Sequence, residues 1–464
     1  MGSGPNIPKI ETDAPTPVEV ALGPIHRFAR MESAGGILLI LFAAGAMVWA
    51  NSPAASGYVA LFHKTYVSVG FGAWGIDKPF ILWINDLLMA VFFLLVGLEI
   101  KREILVGELR SPKAAALPIA AAIGGMAIPG AIYAVINMGE PGLRGWGIPM
   151  ATDIAFALGV MALLGSRVPI ALKVFLTSLA IVDDLGALMI IAIFYTDEVG
   201  FNYLGYAAIL LMILVGLNFT GVRSRLVYLL VGLVVWYFFL ESGVHATIAG
   251  VLVALTIPGK TKVDRAEYAS FADRMLGVFK KDGTEGGKVW TTPTQQGALL
   301  ALEDANEKVE TPLRSLEHRL IPWVAFLILP VFALANAGVA LGGGSGAEGE
   351  PSVFTSRVLI GVVLGLLIGK PVGVVVCSWL AVKAGLATLP KGVTWGMVHG
   401  AGWLAGIGFT MALFIANLGF KGDESAAMLD AAKLGVLGAS VLAGVIGLVV
   451  LARATGKAAG ESDS

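Results

Sequence analysis

Charge is scarce in this chain. Only 14% of its 464 residues are Asp, Glu, Lys or Arg, where a soluble domain carries about 25%. There is one cysteine, Cys377, inside an apolar run, which excludes a disulfide framework and a thiolate metal site. The formal net charge is −1, so there is neither the basic excess that nucleic acid demands nor a surplus that would select an acidic partner. No Gly-x-x-x-x-Gly-Lys phosphate loop occurs, and no soluble stretch is large enough for an ATPase. If the chain moves a solute, a gradient drives it. No cofactor is expected. The start, "MGSGPNIPKIETDAPTPVEV", lacks the basic-then-apolar order of a signal peptide and reads, over 1–32, as a disordered tail.

What is plentiful is apolar sequence: 56% of residues are hydrophobic and 60 are glycine. Small residues at this density suit membrane helices packed without a hydrophobic drive between them. The fold class read from this is an all-α integral membrane protein in a lipid bilayer. About twelve runs are long enough to cross it, centred near 42, 92, 126, 156, 183, 211, 232, 250, 330, 369, 406 and 440. Eight spans occupy 33–258 and four occupy 319–452, with a charged insert at 259–318 between them. The stretch 53–79 alternates apolar and polar residues and reads as an extracytoplasmic strand pair. With the N-terminus inside, 25 of the 32 basic residues fall on inside segments and 6 outside. Both ends, including the tail at 453–464, are therefore expected in the cytoplasm.

Against that background a few charges stand out. Asp183 and Asp184 lie side by side in "LAIVDDLGALMII". One aspartate at the centre of a membrane helix costs about 2.5–3.5 kcal/mol on lenient scales. Asp153 in "IPMATDIAFALGV" and Lys370 in "LLIGKPVGV" are as deep. Asp86 fits an ordinary helix-start carboxylate, and Glu99 and Glu103, four apart, fit solvated charges at a membrane exit. Two aspartates for one lysine exceed what a structural ion pair needs. Adjacent helical residues point about 100° apart, so one aspartate can meet Lys370 while the other faces a wet cavity. Which of them pairs is left open by the sequence.

Helix breaks are expected in the same region. Thr152 and Pro149 favour unwinding before Asp153, and Gly402, Gly406 and Gly408 weaken "GWLAGIGFTMALF". An aspartate offsets the positive N-terminal ends of two half-helices, and Lys370 the negative C-terminal ends. The two broken segments occupy matching places in two three-span groups, 115–195 and 354–452. Three is odd, so the second group enters the membrane with opposite polarity, as in an inverted repeat with a site at its interface. Oxygen ligands beside broken helices point to a small hard cation.

These motifs resemble those of the NhaA family of bacterial sodium–proton antiporters. The resemblance rests on "ATDIAFALGVMALLGSRVPIALKVFLTSLAIVDDLGALMIIAIFYT" (151–196), "FFLLVGLEIKREILVGEL" (92–109), "SGVHATIAG" (242–250), "VAFLILPVFALANAGV" (324–339), "LLIGKPVGV" (366–374) and "GIGFTMALFIA" (406–416). It runs in order from about 33 to 452. It implies twelve helices with two crossed, broken ones near 150–155 and 404–410, in the bacterial inner membrane. It also implies electrogenic exchange of Na+ or Li+ for H+, activated as cytoplasmic pH rises and serving sodium and pH homeostasis. Carried over by position, Asp184 is the principal cation ligand and proton carrier, Asp183 the second carboxylate and Lys370 its cationic partner. Asp153 and Thr152 line the crossing. Glu99, Glu103, His245 and Glu317 match positions associated with pH response, although a lone His245 also fits a residue satisfying a backbone carbonyl. The segment 53–79 matches a dimer contact, implying a homodimer. Two features depart from the family: Ile321 in "LEHRLIPW" stands where histidine is common, and the insert is long.

Two rival readings are weighed. A proton-coupled symporter of a small organic solute needs a larger, hydrogen-bonding pocket than the small aliphatics of "LAIVDDLGAL" and "LLIGKPVGV" supply. An intramembrane aspartyl protease needs one aspartate from each of two helices held as a dyad, whereas "VDDLG" puts both on one.

Overall fold

The computed structural model describes residues 34–71, 74–196, 199–261, 263–281, 291–341, 355–422 and 425–462. The tail expected over 1–32 lies outside them. The first helix, Ala34–Ala50 (α1), turns through 117° into Ala55–Lys64 (α2). A hairpin follows, with Tyr66–Phe71 (β1) antiparallel to Trp74–Pro79 (β2) and Tyr66 opposite Pro79. The first part of the stretch expected as strands, residues 55–64, is thus helix. The reason is visible in Tyr58 and Phe62, four residues apart, which are both buried with ring centroids 5.0 Å apart. That is a helical spacing.

The membrane-crossing helices follow in order. They are Phe80–Val106 (α3), Pro112–Ile136 (α4), the 3-10 segment Pro141–Met150 broken from Ile154–Ala162 (α5), Ile170–Phe194 (α6) and Phe201–Phe219 (α7). Then come Arg225–Glu241 (α8) and Thr247–Thr256 (α9). In the insert, Arg265–Lys281 (α10) packs along Pro293–Val309 (α11). The last crossings are Pro312–Asn336 (α12), Arg357–Lys383 (α13), the broken pair Trp395–Ala405 (α14) and Phe409–Gly419 (α15), and Ala426–Ser462 (α16). The molecule is an all-α membrane protein, and every expected span centre falls on one of these elements except 406, which falls in the break between α14 and α15. The short α9 rises only about 15 Å at 1.5 Å per residue, less than a hydrocarbon core of about 30 Å.

Packing divides the helices into two bundles. The two inverted repeats, α4 to α6 and α13 to α16, form one bundle; α1, α3, α7, α8, α9 and α12 form the other. The repeats meet where α4 and α13 cross backbone to backbone. A Cβ on Gly124 would collide with the carbonyl of Gly373, and one on Gly373 with that of Gly124. Glycine at both positions lets two membrane helices touch. In the second bundle α3 and α9 are held as closely, since a Cβ on Gly250 would collide with the Ala90 carbonyl. Between bundles, α1 packs on α5, α3 on α6, and α12 on α15.

Candidate ion-binding site

Both breaks bend their helix pair by 44°, and they touch. The backbone N–H of Asp153 donates to the carbonyl of Ile407 at 2.7 Å, which ties one break to the other. Asp153 is the N-cap of α5, its Oδ1 accepting from the Phe156 N–H at 3.0 Å. Its Oδ2 accepts from the N–H (3.2 Å) and hydroxyl (2.5 Å) of Thr410, in the first turn of α15. A single buried carboxylate therefore caps two half-helices, where partial positive charge converges. Phe409 N–H is taken by Ser440 Oγ at 3.1 Å.

The opposite ends need donors. Lys370, 0% exposed, donates to the carbonyl of Met150, the last residue of the 3-10 segment, and to Asp183 Oδ2. Lys370 was expected to serve both C-terminal ends, but it reaches only this one. At the other, the Ala405 carbonyl lies 2.8 Å from Thr152 Oγ1, which also lies 2.7 Å from Asp183 Oδ2. Threonine has replaced the ammonium there because the bridge is short: Thr152 sits inside the first break, already against the end of α14. Just before Lys370, Gly365–Gly369 forms a π-type turn, the kind of widened turn common at functional positions.

The two adjacent aspartates occupy different environments. Asp183, 0% exposed, is held by Lys370 and Thr152. Asp184 is 1% exposed, and neither of its oxygens has a hydrogen-bond partner among the described residues. It lies one turn beyond Ile181 on the same face of α6, and Ile181 packs against Val96 and Ile100 of α3. Asp184 thus faces the seam between the bundles. Val174, two turns before Ile181 on that residue's face and about 15 Å from Asp184 by helical rise, lines a cavity of about 630 Å3 with Glu103, Glu108, Arg110 and Ser111.

Glu103 and Glu317 come together at that end. Arg102 bonds Glu317 and reaches Glu103 Oε1 at 3.1 Å, while Glu103 Oε2 accepts from the Glu108 N–H at 3.1 Å. Glu99, half-buried, is one turn from Glu103 on α3. His245 stands apart from them, its ring 6.0 Å from that of Phe414 on α15. Asp86 is within α3, not at its start, and pairs with Lys78 at 3.8 Å. Thr410 was assigned no role from sequence; it is the second residue of α15, and the N-cap is Gly408, so no capping signal marks it. Ser440, from a separate helix, and the carbonyls of Met150, Ala405 and Ile407 carry no such signal.

The family described as Na+/H+ antiporter 1 matches residues 26–451. The chain is 52% identical over 440 residues to the Na(+)/H(+) antiporter NhaA of Oleidesulfovibrio alaskensis, covering 94% of this chain and 95% of that one. It is 46% identical over 453 residues to the NhaA of Koribacter versatilis (94% and 93% covered) and 48% over 424 residues to that of Escherichia coli O1:K1 / APEC (91% and 96% covered). With a match over nearly its whole length and identities of this size, the chain belongs to the Na+/H+ antiporter family of NhaA.

Proposed function

We propose that this chain exchanges Na+, or Li+ in its place, for protons across the bacterial inner membrane, electrogenically and more actively as cytoplasmic pH rises. In a growing cell it would serve sodium and pH homeostasis. The observation that carries the reading is Asp184: a buried carboxylate with no hydrogen-bond partner on either oxygen among the described residues. Isolating such a charge from water is prohibitive, so what balances it is the transported cation or a proton. The two compete for the same oxygens. Membership of the family weighs against the symporter reading.

Charge accounting follows from the pair. With both aspartates ionised, Lys370 protonated and one Na+ bound, the site is neutral. With Na+ gone and a proton on each aspartate, it carries +1 through Lys370. Each cycle then carries two protons one way, one Na+ the other, and one net positive charge with the protons. Asp153 and Thr152 hold the two half-helices in the geometry that offers the site its dipoles and carbonyls.

The pH response is assigned to Glu99, Glu103 and Glu317, with His245 included on resemblance. Protonating Glu103 or Glu317 removes a partner of Arg102 beside the cavity mouth. The basic-residue bias supports placing this end, the insert and both termini in the cytoplasm, and the hairpin outside. Strands β1 and β2 pair only with each other among the described residues. Their outer edges are open to a second copy, which supports a homodimer.

The test uses inside-out vesicles energised to an acidic interior, with a fluorescent pH probe. Na+ and Li+ should alkalinise the interior and K+ should not, and Asp184→Asn should reduce the response to that of vesicles lacking the protein while the variant remains folded. Substantial exchange in folded Asp184→Asn would overturn the assignment.

A further inference from the structure

Three asparagines from three separated stretches of sequence meet at the hairpin end of the seam. Asn336 ends α12 and is fully buried. Its Nδ2 donates to Asn85 Oδ1 at 2.8 Å, and its Oδ1 accepts from Asn85 Nδ2 at 3.2 Å, so the two amides bond reciprocally. The same Oδ1 accepts from Asn417 Nδ2 at 2.8 Å. Asn336 Nδ2 also donates to Phe332 O, and Asn417 Nδ2 to Leu413 O, at 2.9 and 3.0 Å. Asn85 and Asn336 belong to the bundle of α3 and α12. Asn417 belongs to the other, on the broken helix whose first turn binds Asp153. Its bond to Asn336 is therefore a polar tie across the seam.

One turn nearer the membrane centre, Phe414 fills the seam. Its ring centroid is 5.7 Å from Phe93, 6.3 Å from Phe332 and 6.0 Å from His245, all on the opposite bundle. At the other end the seam is open, with the cavity between Glu103 and Val174. The hairpin end, by contrast, is closed by one aromatic plug and one amide tie.

We infer that Asn417, Asn336 and Asn85, with Phe414, form the outer gate of the ion path. The Asn417–Asn336 bond is the contact that must break each time the site opens to the hairpin side. The inference rests on the exchange proposed above. A purely apolar contact would seal as well but would stay dry on opening. Amides offer two satisfied states, bonded to one another when closed and to water when open, and they pass a rehydrating Na+ without presenting fixed positive charge. The Asn85–Asn336 bond lies within one bundle and need not break.

The test joins cysteine pairs with a short bis(methanethiosulfonate) cross-linker that dithiothreitol removes, in a Cys377→Ser background. Exchange by the background and by each uncross-linked pair shows that the variants fold and that the antiport reading stands. Cross-linking Asn336→Cys/Asn417→Cys should abolish exchange and dithiothreitol should restore it. Cross-linking Asn85→Cys/Asn336→Cys should leave exchange within about two-fold, a free-energy effect of about 0.4 kcal/mol. Full exchange by the cross-linked Asn336→Cys/Asn417→Cys pair would overturn the inference, as would equal inhibition by both pairs, which would mark the cluster as one static unit. In the uncross-linked state, Asn417→Ala should raise labelling of a cysteine at Phe414 by a membrane-impermeant maleimide from the hairpin side. Unchanged labelling would contradict the gate.

Discussion

The two helix breaks have the same bend and the same place in their repeats, yet they do different chemical work. The break at 151–153 carries Thr152 and Asp153, and it sends a side chain to each end of its counterpart: Thr152 to the Ala405 carbonyl, Asp153 to Thr410. The break at 406–408 is Gly-Ile-Gly and returns only a backbone carbonyl, from Ile407. Its remaining polar demand is met from outside, by Ser440. Geometry is thus shared between the repeats while the charged groups are concentrated in one and reach across to the other. On the neighbouring helices, by contrast, the charges are divided between the repeats. The first repeat supplies the aspartate pair on α6, and the second supplies Lys370 on α13.

Changes that break this division should cost in proportion to how much charge they leave unbalanced. The largest effect on stability is expected from Lys370→Met. It leaves Asp183 without its cation and the end of the 3-10 segment without its donor, at about 3–5 kcal/mol for a broken buried pair. A thermal melt in detergent should show a large drop, and adding Asp183→Asn to Lys370→Met should recover part of it. A melt unchanged in Lys370→Met would mean that the pair is not formed.

Next is Asp153→Ala, which removes the acceptor of Phe156 and Thr410 and uncaps both half-helices together. Bonds to a charged group suggest about 2–3 kcal/mol. Ser440→Ala, which touches only the second break, should cost about 1 kcal/mol, as for a lost helix cap. If Ser440→Ala proved as costly as Asp153→Ala, the first break would not be the one that serves both.

The parts that were legible in the sequence were those with a conspicuous energetic signature. Asp183, Asp184, Asp153 and Lys370 stand out because a charge in an oily run requires compensation, and Pro149, Gly406 and Gly408 because they weaken a helix. Backbone carbonyls are invisible to that approach: every residue has one, and only the breaks at Met150 and Ala405 free theirs. The asparagine tie was hidden for a related reason. A single amide in an apolar run is common, and nothing in "INDLL", "LANAGV" or "FIANLG" says that the three meet. The helix Ala55–Lys64 was missed because it runs directly into the alternating stretch of Tyr66–Phe71, which reads as strand, while the four-residue spacing of the buried Tyr58 and Phe62 rings is helical.

A pH dependence follows from the shared site. If Na+ and protons compete for Asp184, protons lower the apparent Na+ affinity, so stabilisation by a fixed Na+ concentration should grow with pH and level off once the site is fully deprotonated. The sign reverses if Na+ binds elsewhere and merely accompanies protonation. K+ at equal ionic strength should give little stabilisation at any pH.

The most direct measurement is calorimetric titration of Na+ into the purified protein at alkaline pH, in two buffers of different ionisation enthalpy, for the native chain and for Asp184→Asn. The heats should differ between buffers in the native chain, because Na+ binding releases protons, and both the binding and the buffer dependence should vanish in Asp184→Asn. Na+ binding without proton release, or undiminished binding in folded Asp184→Asn, would contradict competition at that carboxylate.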